Sequence, residues 1–128
     1  MSHPSFLESK TNSNLDNLEY GTAKQKGALA IVKLVQQYGV KIDGVGLQAH
    51  LTSESTGTQQ TPTPSVAVLT QVLKDFTDLN VDVAYTELDI RSNNPSTTQK
   101  QQVAAQAWAR VAQSCINVER CVGITIWV

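Results

Sequence analysis

Glu87 and Asp89 stand two positions apart in "TELDIR", at the end of "VDVAY", an apolar run with the composition of a buried strand. Carboxylates on one face of a strand end suit nucleophilic or acid/base work, because a charged group is rarely buried unless it is paired or used. His50 ends a second apolar run, "GVGLQAH". In a parallel sheet the two strand ends would be neighbours, and a histidine hydrogen bond would hold Glu87 oriented and ionised near neutral pH. The plainer reading of Glu87 is a strand-end acid paired with Arg91 or a lysine, and that of His50 a core histidine with its bonds satisfied. For Asp89 the expectation is an ion pair with Arg91. Gln48 shares a strand face with His50. Trp127 ends the last strand, "VGITIW", where an indole can stack on an apolar ring face or fill core, whereas Trp108 has the helical spacing of a core residue. Glu8, Glu19, Asp43, Glu54, Asp75, Asp78, Asp82 and Glu119 read as solvated turn or helix positions, with Glu54 and Asp43 weak candidates for more.

No metal is expected: the histidines are His3 and His50, far apart, and no carboxylate cluster has ligand spacing. No cofactor is expected either, since there is no glycine-rich loop of the dinucleotide or Walker type. Cys115 and Cys121, in "SCINVERC", lack the CxxC spacing of zinc and thioredoxin-like sites. They read as a disulfide, which implies an oxidising, secretory destination, or as two buried thiols.

The 128 residues suffice for one modest domain with one core. The net charge is -1 and the basic residues are dispersed, so neither nucleic acid nor an anionic membrane is an expected partner. No apolar stretch approaches the ~20 residues of a bilayer span, and "MSHPSFLESK" lacks the apolar core of a signal peptide.

Three strands and three helices must position these groups. "AKQKGALAIVKLVQQYG" predicts a helix with Ala28, Ile31, Val32, Val35 and Tyr38 on its apolar stripe and Gly39 as its stop. "KIDGVGLQAHL" predicts one strand buried on both faces, as parallel strands are. "TSESTGTQQTPTP" is a long polar loop, after which Thr63 caps a helix whose stripe is Val66, Leu69, Val72, Leu73 and Phe76. Asn80 closes that helix. "VDVAYTELDIR", a second polar loop, a helix capped near Ser96, and the final strand complete the pattern. Strands recur about every forty residues with one helix in each gap, which predicts right-handed parallel β/α units. An open doubly wound sheet and part of a (β/α)8 barrel both fit. Gln48, His50, Glu87 and Trp127 at strand C-terminal ends favour the barrel, where that end carries the active site.

"GVGLQAHL", "VDVAYTELDIR" and "CVGITIW" resemble the sixth, seventh and eighth barrel strands of glycoside hydrolase family 10, in order and at the family's spacing. The resemblance runs from about Leu18 to Trp127 and is nearest to the fungal endo-1,4-β-xylanases. It implies an α/β fold that is a partial (β/α)8 TIM barrel, roughly strands five or six to eight with their helices. It also implies a retaining reaction on xylan, with Glu87 as nucleophile, His50 as the residue that orients it, and Gln48 and Trp127 as substrate-binding residues. In fungal members the two cysteines form a disulfide, and the enzymes are secreted.

Retaining hydrolysis needs a second carboxyl group about 5–5.5 Å from the nucleophile. In the family this acid/base glutamate follows a Trp-x-x-x-Asn-Glu pattern at the fourth strand, which is absent from these residues. A complete barrel takes about 250 residues. The expectation is therefore a single partial catalytic domain over residues 1–128, with no acid/base of its own and a divergent or disordered start over residues 1–17. The family's fifth strand ends in Asn-Asp-Tyr-Asn, whereas this chain reads "FLESKTNSNLDN", so that strand is predicted to be broken or replaced. Ser92 stands where a methionine is common. Expected partners are xylan or xylo-oligosaccharides, together with a complementing N-terminal half or a second copy. The alternative is a non-catalytic fragment that binds xylan weakly or serves as an assembly unit. An unrelated small α/β enzyme would have to find its acid among Asp89, Glu54 and Asp43.

Overall fold

The computed structural model describes residues 6–8 and 22–128. The elements run β1 Phe6–Glu8, α1 Ala23–Gln37, β2 Gly44–Leu47, β3 His50–Thr52, α2 Val66–Thr77, β4 Asp82–Arg91, α3 Thr98–Ile116 and β5 Cys121–Ile126. Every strand pairing is parallel: β1 lies beside β2, β2 and β3 both lie beside β4, and β4 lies beside β5. The predicted parallel β/α alternation is therefore present. Phe6–Glu8 pair in register with Gly44–Gly46, so a short strand stands where the sequence predicts a broken or replaced one. The rest of the start over residues 1–17 lies outside the described residues.

The run expected as one strand from Ile42 to Leu51 is two. Ala49 adopts a left-handed conformation, φ 61°, and this ends β2 and restarts the chain as β3. The predicted two-sided burial of β2 is observed.

One core lies between the sheet and the helices. Val45, Leu47, Ala49 and Leu51 meet Leu69, Val72, Leu73 and Phe76 of α2 and Val83, Tyr85 and Leu88 of β4, with Val111 and Cys115 of α3. Leu73 and Phe76 are wholly excluded from water. Each such side chain contributes roughly 1.5–3 kcal/mol relative to an exposed position. Trp108 is partly buried against this core, as its helical spacing suggests.

Two helix details differ from the sequence reading. Ser65, not Thr63, caps α2 by accepting the Val68 amide. Thr63 is buried, with both its amide and its hydroxyl donated to the Thr52 carbonyl, so it fastens the polar loop to the end of β3. In α1 the stripe is rotated: Val32 is buried and Ala28 and Leu29 pack on the core, while Ile31 and Tyr38 are exposed. On the same face the buried Gln25 side-chain amide donates to Asp75 of α2 at 2.6 Å. Gly39, at φ 71°, terminates α1 as expected.

Candidate active site

The start of β3 and the C-terminal half of β4 bring three of the singled-out side chains together. His50 lies directly opposite Asp89 in the β3–β4 ladder. Its Nε2 is 3.1 Å from Glu87 Oε2 and its Nδ1 is 2.9 Å from Asp89 Oδ2. The three side chains are 20–30% exposed. Both carboxylates accept only, so when both are ionised both ring nitrogens must donate, which is the imidazolium form. The ring is then tied at both nitrogens, which fixes its plane and, through it, Glu87.

The expected Asp89–Arg91 pair is not formed. Asp89 bonds to His50 instead, because the ladder sets His50 directly across from it, closer than a residue two places along the same strand. The Arg91 carbonyl accepts from the amide and hydroxyl of Ser53, and its side chain is exposed. The weaker candidates are otherwise engaged. Glu54 accepts the Asn93 amide and pairs with Lys100 at 3.4 Å, and Asp43 pairs with Lys41 at 3.1 Å.

A bulge in β4 aims Glu87. Val83, Tyr85 and Leu88 are the buried, helix-facing positions, and the step from 85 to 88 is three residues instead of two. Register agrees: from Leu47/Tyr85 to His50/Asp89, β4 has one residue more than its partner, and it has one more than β5 between Tyr85/Ile124 and Leu88/Ile126. An unbroken alternation would have turned Glu87 toward the helices. The extra residue reverses the parity, so Leu88 takes the core and Glu87 faces His50. On the partner strand, the consecutive carbonyls of Gln48 and Ala49 accept the amides of Glu87 and Asp89, an arrangement that follows the left-handed turn at Ala49.

The remaining predicted residues, Gln48 and Trp127, meet β4 through their backbone. Gln48 is half-buried at the break between β2 and β3, and its carbonyl fixes the Glu87 backbone. Trp127 follows β5 with its amide on the Leu88 carbonyl at 3.0 Å, and the residue is 56% exposed. Cys115 and Cys121 form a disulfide that joins the end of α3 to the start of β5. On the core side of β4, the Tyr85 hydroxyl bonds Ser114 at 2.8 Å, and burial pushes its pKa up to about 12. No group of histidine, cysteine and acidic side chains among the described residues could hold a metal ion. No helix among them is long and apolar enough to cross a membrane.

Comparison with known proteins places the geometry. The sequence pattern of glycosyl hydrolase family 10 matches residues 10–128. Endo-1,4-beta-xylanase A of Fusarium oxysporum f. sp. lycopersici is 64% identical over 111 residues, which cover 87% of this chain and 34% of that protein. Endo-1,4-beta-xylanase 1 of Gibberella zeae is 65% identical over 111 residues, covering 87% of this chain and 31% of that one. Among solved structures, a family 10 xylanase from Bispora sp. MEY-1, determined with xylobiose, aligns at a TM-score of 0.81 and 32% identity, covering 96% of this chain and 33% of its own. This chain thus spans about a third of the length of these relatives. Its parallel strands and helices are a sector of their (β/α)8 barrel, and with that fold and the match over residues 10–128 the chain belongs to glycosyl hydrolase family 10.

Proposed function

We propose that this chain carries the nucleophile side of a retaining endo-1,4-β-xylanase. Glu87 attacks the anomeric carbon of a β-1,4-linked xylose unit as the bond to the leaving oxygen breaks. The product is a covalent glycosyl-enzyme, which water then hydrolyses. His50 orients Glu87, Asp89 holds His50, and Gln48 and Trp127 contact the sugar. The observation that supports this reading is the Glu87–His50–Asp89 chain, bonded at both ring nitrogens, with His50 just after the break that ends β2 and the two carboxylates in the C-terminal half of β4.

The acid/base carboxyl comes from outside these residues. Asp89 is committed to the far nitrogen of His50, and Glu54 and Asp43 are tied to lysines. Loss of general acid help removes a factor of about 10²–10⁴, so the 128-residue chain alone releases at most traces of reducing sugar from xylan. Mixed with a fragment that carries strands one to four of a related xylanase, it is expected to gain activity that Glu87→Gln abolishes. Robust turnover by the chain alone, or complemented activity that survives Glu87→Gln, would overturn this assignment. The disulfide supports passage through an oxidising compartment and so a secreted enzyme.

One observation favours the second reading, a non-catalytic binding or assembly unit. Val122, Ile126 and Trp127 at β5 are each more than half exposed, as suits a surface that another element covers. Xylan retention without hydrolysis, in the presence as well as the absence of the complementing fragment, distinguishes it from the first.

A further inference from the structure

The bulge that aims Glu87 needs something to hold it, and the structure shows a contact one residue earlier. Thr86 donates its hydroxyl to the Leu47 carbonyl at 3.3 Å, across the β2–β4 ladder. Its Cγ2 methyl lies over Gly46: a Cβ built on Gly46 would be 2.6 Å from that methyl, 3.5 Å from Oγ1 and 3.7 Å from Cβ of Thr86. Only a residue without a side chain fits at 46 while the methyl is there. Gly46 is opposite Ala84 in register, so the Thr86 side chain leans back along the ladder over its neighbour strand.

We infer that Thr86 and Gly46 form a steric latch that fixes the parity of β4, which makes Thr86 a positioning residue for Glu87. The hydroxyl pins the residue before Glu87 to the last residue of β2. Gly46, having no side chain, leaves the Thr86 side chain its place on the face away from the helices, so the extra residue of the bulge falls immediately after it. Glu87 then emerges toward His50 and Leu88 toward the core. Slip of the bulge would exchange the places of Glu87 and Leu88, bringing a carboxylate against the core of α2 and α3. The functional importance of this latch rests on Glu87 being the nucleophile, but its geometry does not.

The steric logic dictates a compensating pair. Gly46→Ala drives a methyl into Thr86 Cγ2, while Thr86→Ser removes that methyl and keeps the hydroxyl. In the double variant the nearest remaining Thr86 atoms are at ordinary contact distance. The readout is the ring-nitrogen signature of His50 by NMR on the full chain, with Glu87→Gln introduced into each background. Glu87→Gln is expected to displace the His50 Nε2 resonance in the parent, in Thr86→Ser and in Gly46→Ala/Thr86→Ser, and to leave it in place in Gly46→Ala alone. If Gly46→Ala gives no dispersed spectrum, recovery of the spectrum and of the Glu87-dependent displacement in the double variant supports the latch. Displacement retained in a folded Gly46→Ala, or not regained in the double variant, overturns it. Xylan turnover is not part of this readout, so failure of the xylanase assignment is separately visible in the complementation assay.

Discussion

Glu87 and Asp89 are carboxylates on the same strand, and they differ in which nitrogen of His50 each one faces. The pairing of Glu87 with His50 was legible from two apolar runs that end in polar residues, because neighbouring parallel strands run side by side in the same sense and bring the residues that follow such runs together. The partner of Asp89 was not, because Arg91 is equally near in sequence and the ladder register that puts His50 opposite Asp89 is a tertiary fact. Tyr85 gives a residue-scale test on the other side of the same strand. Its pKa, raised by burial to about 12 from an unfolded value of 10.0, means the neutral phenol is favoured in the folded chain. The sign follows: this contribution is complete below pH 10, and the folded state loses stability as pH rises from there through 12, where the unfolded chain ionises first. Tyr85→Phe is expected to cost about 1 kcal/mol at neutral pH through loss of the Ser114 bond. It also flattens the decline in denaturant midpoint between pH 10 and 12. An equally steep decline in the variant would assign the alkaline loss to other groups.

At the scale of elements, the order and parallel sense of the strands and helices were legible because the apolar periodicity changes sharply between them. The breaks within strands were not. Nothing in the composition of "GLQAH" marks Ala49 as left-handed, and the β4 bulge exists only as a mismatch in residue count against two neighbours. In α1 the sequence stripe was right for Ala28 and Val32 and wrong for Ile31 and Tyr38, because spacing marks an apolar stripe but not which edge of it meets the core. The disulfide shows the same coupling between elements. It closes a loop with a sequence separation of 6 between the end of α3 and β5, the strand that leads to Trp127. A loop this short constrains the unfolded chain by roughly 2 kcal/mol in the chain-entropy account. Cys115→Ala/Cys121→Ala is therefore expected to lower stability by about 2 kcal/mol in a denaturant titration. An unchanged midpoint would mean that α3 and β5 are held by packing alone, without help from the cross-link.

For the molecule as a whole, the governing feature is how the sheet ends. Among the described residues β1 pairs only with β2 and β5 only with β4, so each has a side with no strand beside it. A closed barrel removes such edges, and a sector of one has two. The apolar surface is uneven in a way that matches: at β5, Val122 is 58% and Ile126 53% exposed, whereas the central strand β4 buries Val83, Tyr85 and Leu88 almost completely. Unpaired backbone beside exposed apolar side chains favours association, and a second copy is the partner always present in a pure sample. The chain is therefore expected to elute from gel filtration as an oligomer at high concentration and to shift toward monomer on dilution. Val122→Lys and Ile126→Lys, which place charge on the exposed strand, should move that shift to higher concentration while leaving the far-ultraviolet circular dichroism intact. If β5 is also the surface that receives a complementing fragment, the same two lysines should weaken rescue of xylan hydrolysis, and that fragment should dissolve the self-associated form. A compact monomer at every concentration would show that the edges are already covered within the chain, and it would remove the physical basis for complementation at β5.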